Sequence, residues 1–84
     1  MIYSLLFKKT AEKSFEKLSQ KEKSKVCSVL LSLREKPFLG KKLSGEFEGF
    51  YSVRVWPYRI IYTVIKKELI ILVVDIGHRK DVYR

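Results

Sequence analysis

Seven residues at the end of the chain, His78-Arg79-Lys80-Asp81-Val82-Tyr83-Arg84, gather an imidazole, three cationic side chains and a phenol. About twenty positions upstream, in a strand-like run, stands Tyr58-Arg59-Ile60-Ile61-Tyr62. Guanidinium groups clamp phosphate through paired N–H donors and stabilise charge that builds on it during a reaction. An imidazole, with an unperturbed pKa of about 6.5, suits proton transfer near neutrality. A tyrosine ring can stack on an unpaired base. Together these residue types point to phosphate chemistry that needs neither a metal nor an organic cofactor. The chain's single His and single Cys, at position 27, give no Cys/His ligand spacing and no intrachain disulfide.

The elements that must position these groups are bounded first by size. Eighty-four residues make a single domain, residues 1–84, near the lower limit at which an apolar core alone holds a fold. A hydrophobic content of 46% suffices for a compact globule and argues against disorder. The formal charge of +9 favours polyanionic partners or an acidic protein. The excess is uneven: residues 8–42 hold eleven basic and four acidic side chains, whereas residues 43–84 hold seven and five. The apolar run at residues 2–7 is too short for a signal segment or a membrane span, so a cytoplasmic protein is the default expectation and no membrane partner is expected.

Residues 2–7 read as a strand. Thr10 reads as a helix N-cap, followed by Ala11, Phe15 and Leu18 at helical spacing. Ser19-Gln20-Lys21-Glu22 fits a capping box that opens a second helix. That helix carries Val26, Val29, Leu30 and Leu33 on one face, with Cys27 as a small core residue at the margin, and ends before Pro37. A glycine-bearing loop over residues 38–49 leads to three strand patterns: 51–56, 58–65 and the doubly apolar 69–74. The order is β-α-α-β-β-β, an α+β fold with a helical hairpin packed on a mainly antiparallel four-stranded sheet.

Register sharpens the reading. A two-residue turn at Trp56-Pro57 pairs Val55 with Tyr58 and sets Arg54 opposite Arg59. Like charges facing each other across a ladder are unfavourable by roughly 0.2–1 kcal/mol. A bound phosphate reverses that sign. The alternative is that Arg59 meets an acid, because a three-residue turn at 66–68 would place Asp75 opposite it.

The residues Lys42-Leu43-Ser44-Gly45, Tyr51-Ser52-Val53-Arg54-Val55, Tyr58-Arg59-Ile60-Ile61-Tyr62 and the tail from Ile76 to Arg84 resemble the RelE/ParE toxin superfamily, specifically its RelE-like branch. The resemblance spans essentially the whole chain. It implies the toxin of a type II toxin–antitoxin system: a ribosome-dependent, metal-independent mRNA endonuclease that cleaves in the A site by 2′-hydroxyl attack on the adjacent phosphate. The implied partners are a cognate antitoxin protein, the ribosome with its rRNA, and A-site mRNA, with DNA met only indirectly through the antitoxin complex. By similarity, Arg59 would hold the scissile phosphate. Arg79 would bind phosphate or protonate the leaving 5′-oxygen, and Tyr83 would stack on the displaced base or join proton transfer. Arg54, Lys42, Lys80 and Arg84 would bind RNA.

The chain departs from the pattern at Ser52 and Ser44, where some relatives have lysine and arginine, so His78 becomes the candidate base for the 2′-hydroxyl. Trp56-Pro57 also replaces a small polar turn. The competing readings are a ParE-like inhibitor of DNA gyrase, which is not an enzyme, and an inactive member that only binds its antitoxin.

Overall fold

An apolar-rich run gives way to helical spacing after Phe7, and the structure follows that change. The computed structural model describes residues 2–78. The elements run β1 (Ser4–Phe7), α1 (Lys9–Glu16), α2 (Gln20–Glu35), β2 (Lys41–Lys42), β3 (Tyr51–Val55), β4 (Tyr58–Ile65) and β5 (Ile70–His78), with 3-10 turns at Gly45–Phe47 and Lys66–Glu68. The strands form one sheet in the order β1-β5-β4-β3-β2. β3, β4 and β5 are an antiparallel meander, and β1 joins β5 in parallel at one edge. The α+β architecture agrees with the sequence reading. Its fifth strand, β2, is only two residues long and sits inside the expected 38–49 loop, too short to leave a periodic signal.

The helices cover one face of the sheet. α2 buries Val26, Leu30 and Leu33, spaced four and three residues apart, against Ile60, Tyr62, Ile71, Val73 and Ile76 of the sheet. Its start is fixed by the expected capping box: the Ser19 hydroxyl accepts from the Glu22 N–H at 3.2 Å, and Glu22 accepts from the Ser19 N–H at 2.9 Å. Cys27 is exposed rather than in the core, because one residue past Val26 the helix has turned about 100° away from the sheet. Among the described residues no helix is long and apolar enough to cross a membrane.

Thr10 does not cap α1. Lys8 occupies that position without a side-chain cap, since its N–H is still bonded to Val73 of β5 at 2.9 Å and the chain leaves the sheet directly into the helix. The Thr10 hydroxyl instead donates to the Val74 carbonyl at 2.9 Å. Val74 is the extra residue of a β-bulge: Ile61 pairs with Asp75 while the next residue, Tyr62, pairs with Val73. This bulge overturns the Arg59–Asp75 alternative. The β4–β5 turn is longer than three residues, because Ile65 pairs with Ile70 and Leu69 takes a left-handed φ of 54°. With the bulge added, Arg59 faces Gly77 and Asp75 faces Ile61.

Tyr62 ties the segment after α2 to the sheet. Fully buried and stacked on Tyr51 at 5.5 Å, its hydroxyl accepts from the Gly40 N–H and donates to the Pro37 carbonyl, both at 2.9 Å. The approach is so close that a Cβ on Gly40 would lie 2.6 Å from that hydroxyl and 2.9 Å from the Ser52 carbonyl. Burial holds the phenol above its ordinary pKa of 10.0. The stability this group contributes is therefore present below pH 10 and is lost as pH rises through its folded-state pKa. Tyr62→Phe leaves the Gly40 donor without its acceptor and should cost about 1–3 kcal/mol in urea unfolding near neutral pH. The variant should also lose less stability than the parent when the titration is carried above pH 10.

Candidate functional site

Because side chains alternate along a strand, residues directly opposite each other in neighbouring strands share a face of the sheet. The face away from the helices carries Ser52, Arg54, Arg59 and Ile61. Arg54 stands directly opposite Arg59 and Ser52 opposite Ile61, across a two-residue turn at Trp56–Pro57. This is the register expected from the sequence. Lys41 pairs with Ser52 from the far side of β3 and joins the same face. Leu39, Gly40, Lys41, Ser52, Arg54 and Arg59 line a cleft of about 240 Å³. Arg54 is exposed and Arg59 half-buried. On the β5 side Arg59 faces Gly77, which itself carries no side chain.

The electrostatic logic of this cleft is one-sided. Among the described residues, three cationic side chains and no carboxylate line it. An anion entering between Arg54 and Arg59 relieves their repulsion and can accept from both planar donor sets. Ser52, only 6% exposed, keeps its remaining surface toward the cleft and offers a hydroxyl as a neutral donor.

The expected site residues divide into three groups. Arg54 and Arg59 come together as described. Lys42 does not: it pairs with Tyr51 and so belongs to the helix-covered face, while its neighbour Lys41 takes the place in the cleft. His78 also stands apart from Arg59. It pairs with Tyr58 on the helix-covered face, their rings edge-to-face at 5.9 Å. The neighbouring Glu22 carboxylate raises the pKa of the Tyr58 phenol, with burial adding to the effect. Glu22 is held below the usual carboxylate range, first by the Ser19 N–H and also by the Tyr58 hydroxyl. The helix cap, Tyr58 and His78 therefore form one contact chain behind the sheet. Arg79, Lys80, Tyr83 and Arg84 lie outside the described residues. Sequence reasoning missed Lys41 and the pairing of Gly77 with Arg59. The first needed a two-residue strand and the second needed the bulge. Among the described residues no group of three or more His, Cys, Asp or Glu side chains gathers to hold a metal.

Sequence comparison then decides the family. The family profile of the ParE toxin of type II toxin–antitoxin systems matches residues 3–83. The chain belongs to that family, within the RelE/ParE toxin superfamily. The toxin is 29% identical over 86 residues to Toxin RelG of Mycobacterium tuberculosis, covering 100% of this chain and 99% of the relative. In structure it superimposes on a chain of the RelBE2 toxin–antitoxin complex of the same organism with a TM-score of 0.86 and 26% identity, covering 94% of this chain and 100% of that one. A chain of the archaeal RelE–RelB complex of Pyrococcus horikoshii gives a TM-score of 0.80 at 24% identity, over 98% and 100% of the two chains. This last likeness speaks to the fold alone.

If the opposed arginines are held for an anion, removing one should relieve the empty protein. Arg54→Gln is expected to raise stability in low-salt buffer by roughly 0.2–1 kcal/mol, a gain that shrinks as salt screens the pair. The same variant should gain less from added inorganic phosphate than the parent does. Thermal unfolding at graded phosphate concentrations, at constant ionic strength, reads both effects. A lower midpoint at low salt would count against a repulsive pair.

Proposed function

We propose that this toxin is a ribosome-dependent mRNA endonuclease that cleaves in the A site without a metal ion. The observation that carries the reading is the Arg54–Arg59 pair facing across β3 and β4 on the sheet face opposite the two described helices. An extended RNA strand can reach that face, and a phosphate seated between the guanidiniums meets preorganised charge where the transition state gains its own. The 2′-hydroxyl attacks the adjacent phosphorus and loses its proton. A new P–O2′ bond forms, the P–O5′ bond breaks, and the 5′-oxygen leaves with a proton. Arg59 binds the phosphate through both stages, and Arg54 adds charge from the exposed side.

His78, directed to the Tyr58 face, serves this scheme by positioning the end of β5. The proton transfers fall to the residues that follow, Arg79 and Tyr83, by resemblance. Lys80 and Arg84 add RNA contacts on the same basis. The exposed lysines at positions 9, 13, 17, 21 and 25 support docking on ribosomal RNA, which needs charge and no sequence readout. A cytoplasmic location fits this partner. The relatives crystallised as RelBE2 and RelE–RelB complexes support a cognate antitoxin as the protein partner, its acidic or amphipathic segment complementary to this basic surface.

The family profile carries the ParE description, which keeps gyrase inhibition as the second reading. Primer extension on mRNA in a translating extract separates the two. Added toxin should produce discrete cuts within codons, and Arg59→Ala, with its fold intact by circular dichroism, should abolish them. Tyr83→Ala should reduce cleavage less. Intact message accompanied by defective DNA supercoiling would replace the nuclease reading with gyrase inhibition.

A further inference from the structure

The open face holds a second rung beside the arginine pair. Lys41 and Ser52 oppose each other across β2 and β3, as Arg54 and Arg59 do across β3 and β4. Positions 52 and 54 are two residues apart on one strand and so lie roughly 6–7 Å apart. That separation is comparable with the spacing of successive phosphates along an extended RNA strand. Both rungs line one continuous cleft. The Lys41 end is anchored through its neighbour Gly40, whose N–H is bonded to the buried Tyr62 hydroxyl at 2.9 Å. The two rungs differ in chemistry. Planar guanidiniums grip one phosphate bidentately, whereas a lysine on a flexible stem neutralises a phosphate as a point charge, here opposite Ser52.

We propose that Lys41 and Ser52 form the subsite for a second phosphate, adjacent along the strand to the phosphate held by Arg54 and Arg59. The toxin then engages two successive phosphates of a single RNA strand on its open sheet face. The identity of the polyanion as RNA rests on the nuclease reading, but the two-rung ladder does not.

Binding of the full-length toxin to short 2′-O-methyl oligonucleotides, which cannot be cut, tests the ladder directly. A dinucleotide with one phosphate is compared with the same dinucleotide carrying an added 5′-phosphate, by fluorescence anisotropy over a range of salt. The parent should prefer the two-phosphate ligand by about fivefold, the worth of one partly exposed ion pair. Lys41→Ala should abolish that preference, keep the one-phosphate affinity and lower the salt slope by about 0.7. Lys41→Arg should restore the preference, and Lys67→Ala, which removes one charge at the β4–β5 turn, should leave it unchanged. A preference that survives in Lys41→Ala overturns the ladder. So does a fall of equal size for both ligands. Failure of the nuclease reading looks different: the parent would leave ribosome-bound message intact while Lys41→Ala still erased the two-phosphate preference.

Discussion

Holding two guanidiniums opposite each other on adjacent strands is the constraint around which this sheet is organised. The repulsion is small on the scale of domain stability, roughly 0.2–1 kcal/mol against a total of about 5–15 kcal/mol. It persists because the register of β3 and β4 is fixed from the other face. Val53 opposite Ile60 and Tyr51 opposite Tyr62 are packed under the helices. A one-residue slip would carry that whole apolar set to solvent. The core thus dictates the position of the arginines, and solvent screening with a half-open cleft keeps the repulsion tolerable until an anion arrives.

The same logic explains the bulge in β5. Ile71 and Val73 face the core two residues apart, but the next core residue is Ile76, three further on, and it is only 3% exposed. Uniform alternation from Val73 would have put Asp75 and Gly77 under the helices and Ile76 on the open face. The extra residue Val74 corrects the phase, and its carbonyl is satisfied by Thr10. Two consequences reach the site. Gly77 arrives opposite Arg59, and His78 goes to the Tyr58 side. A histidine one residue from the expected catalytic arginine was placed on the opposite face by a packing requirement four residues earlier.

What the sequence revealed and what it hid follow from the range of each interaction. The capping box at Ser19 and Glu22, the helix stop before Pro37 and the Arg54–Arg59 pairing are all set within a few residues, and each was legible. The Asp75 partner for Arg59 failed because it assumed constant phase from the β4–β5 turn to the strand end. The spacing of Ile71, Val73 and Ile76 carried the correction, but apolar Val74 masked it by making the run look hydrophobic on both faces. Thr10 failed as a cap for a tertiary reason, since β5 still holds the backbone at Lys8. Lys42, expected from the motif it shares with the family, lies on the helix-covered face because β2 pairs Lys42 with Tyr51 and Lys41 with Ser52, and only that pairing tells one face from the other.

The distribution of charge follows from the layering. The exposed lysines of α1 and α2 stand on one side of the sheet, and Lys41, Arg54 and Arg59 stand on the other, so the +9 charge is not a single patch. A surface of solvated lysines attracts a polyanion over a Debye length of about 8 Å at physiological salt without fixing its path. A cleft with a glycine on one flank, a buried serine in its wall and a tyrosine-anchored rim is suited to fixing that path. Long-range attraction and local positioning are thereby assigned to different faces. Neutralising helix lysines would slow encounter, whereas altering the cleft would change what is held after it. This separation is available to so small a domain because both described helices cover a single face, leaving the cleft at Lys41, Arg54 and Arg59 on the other.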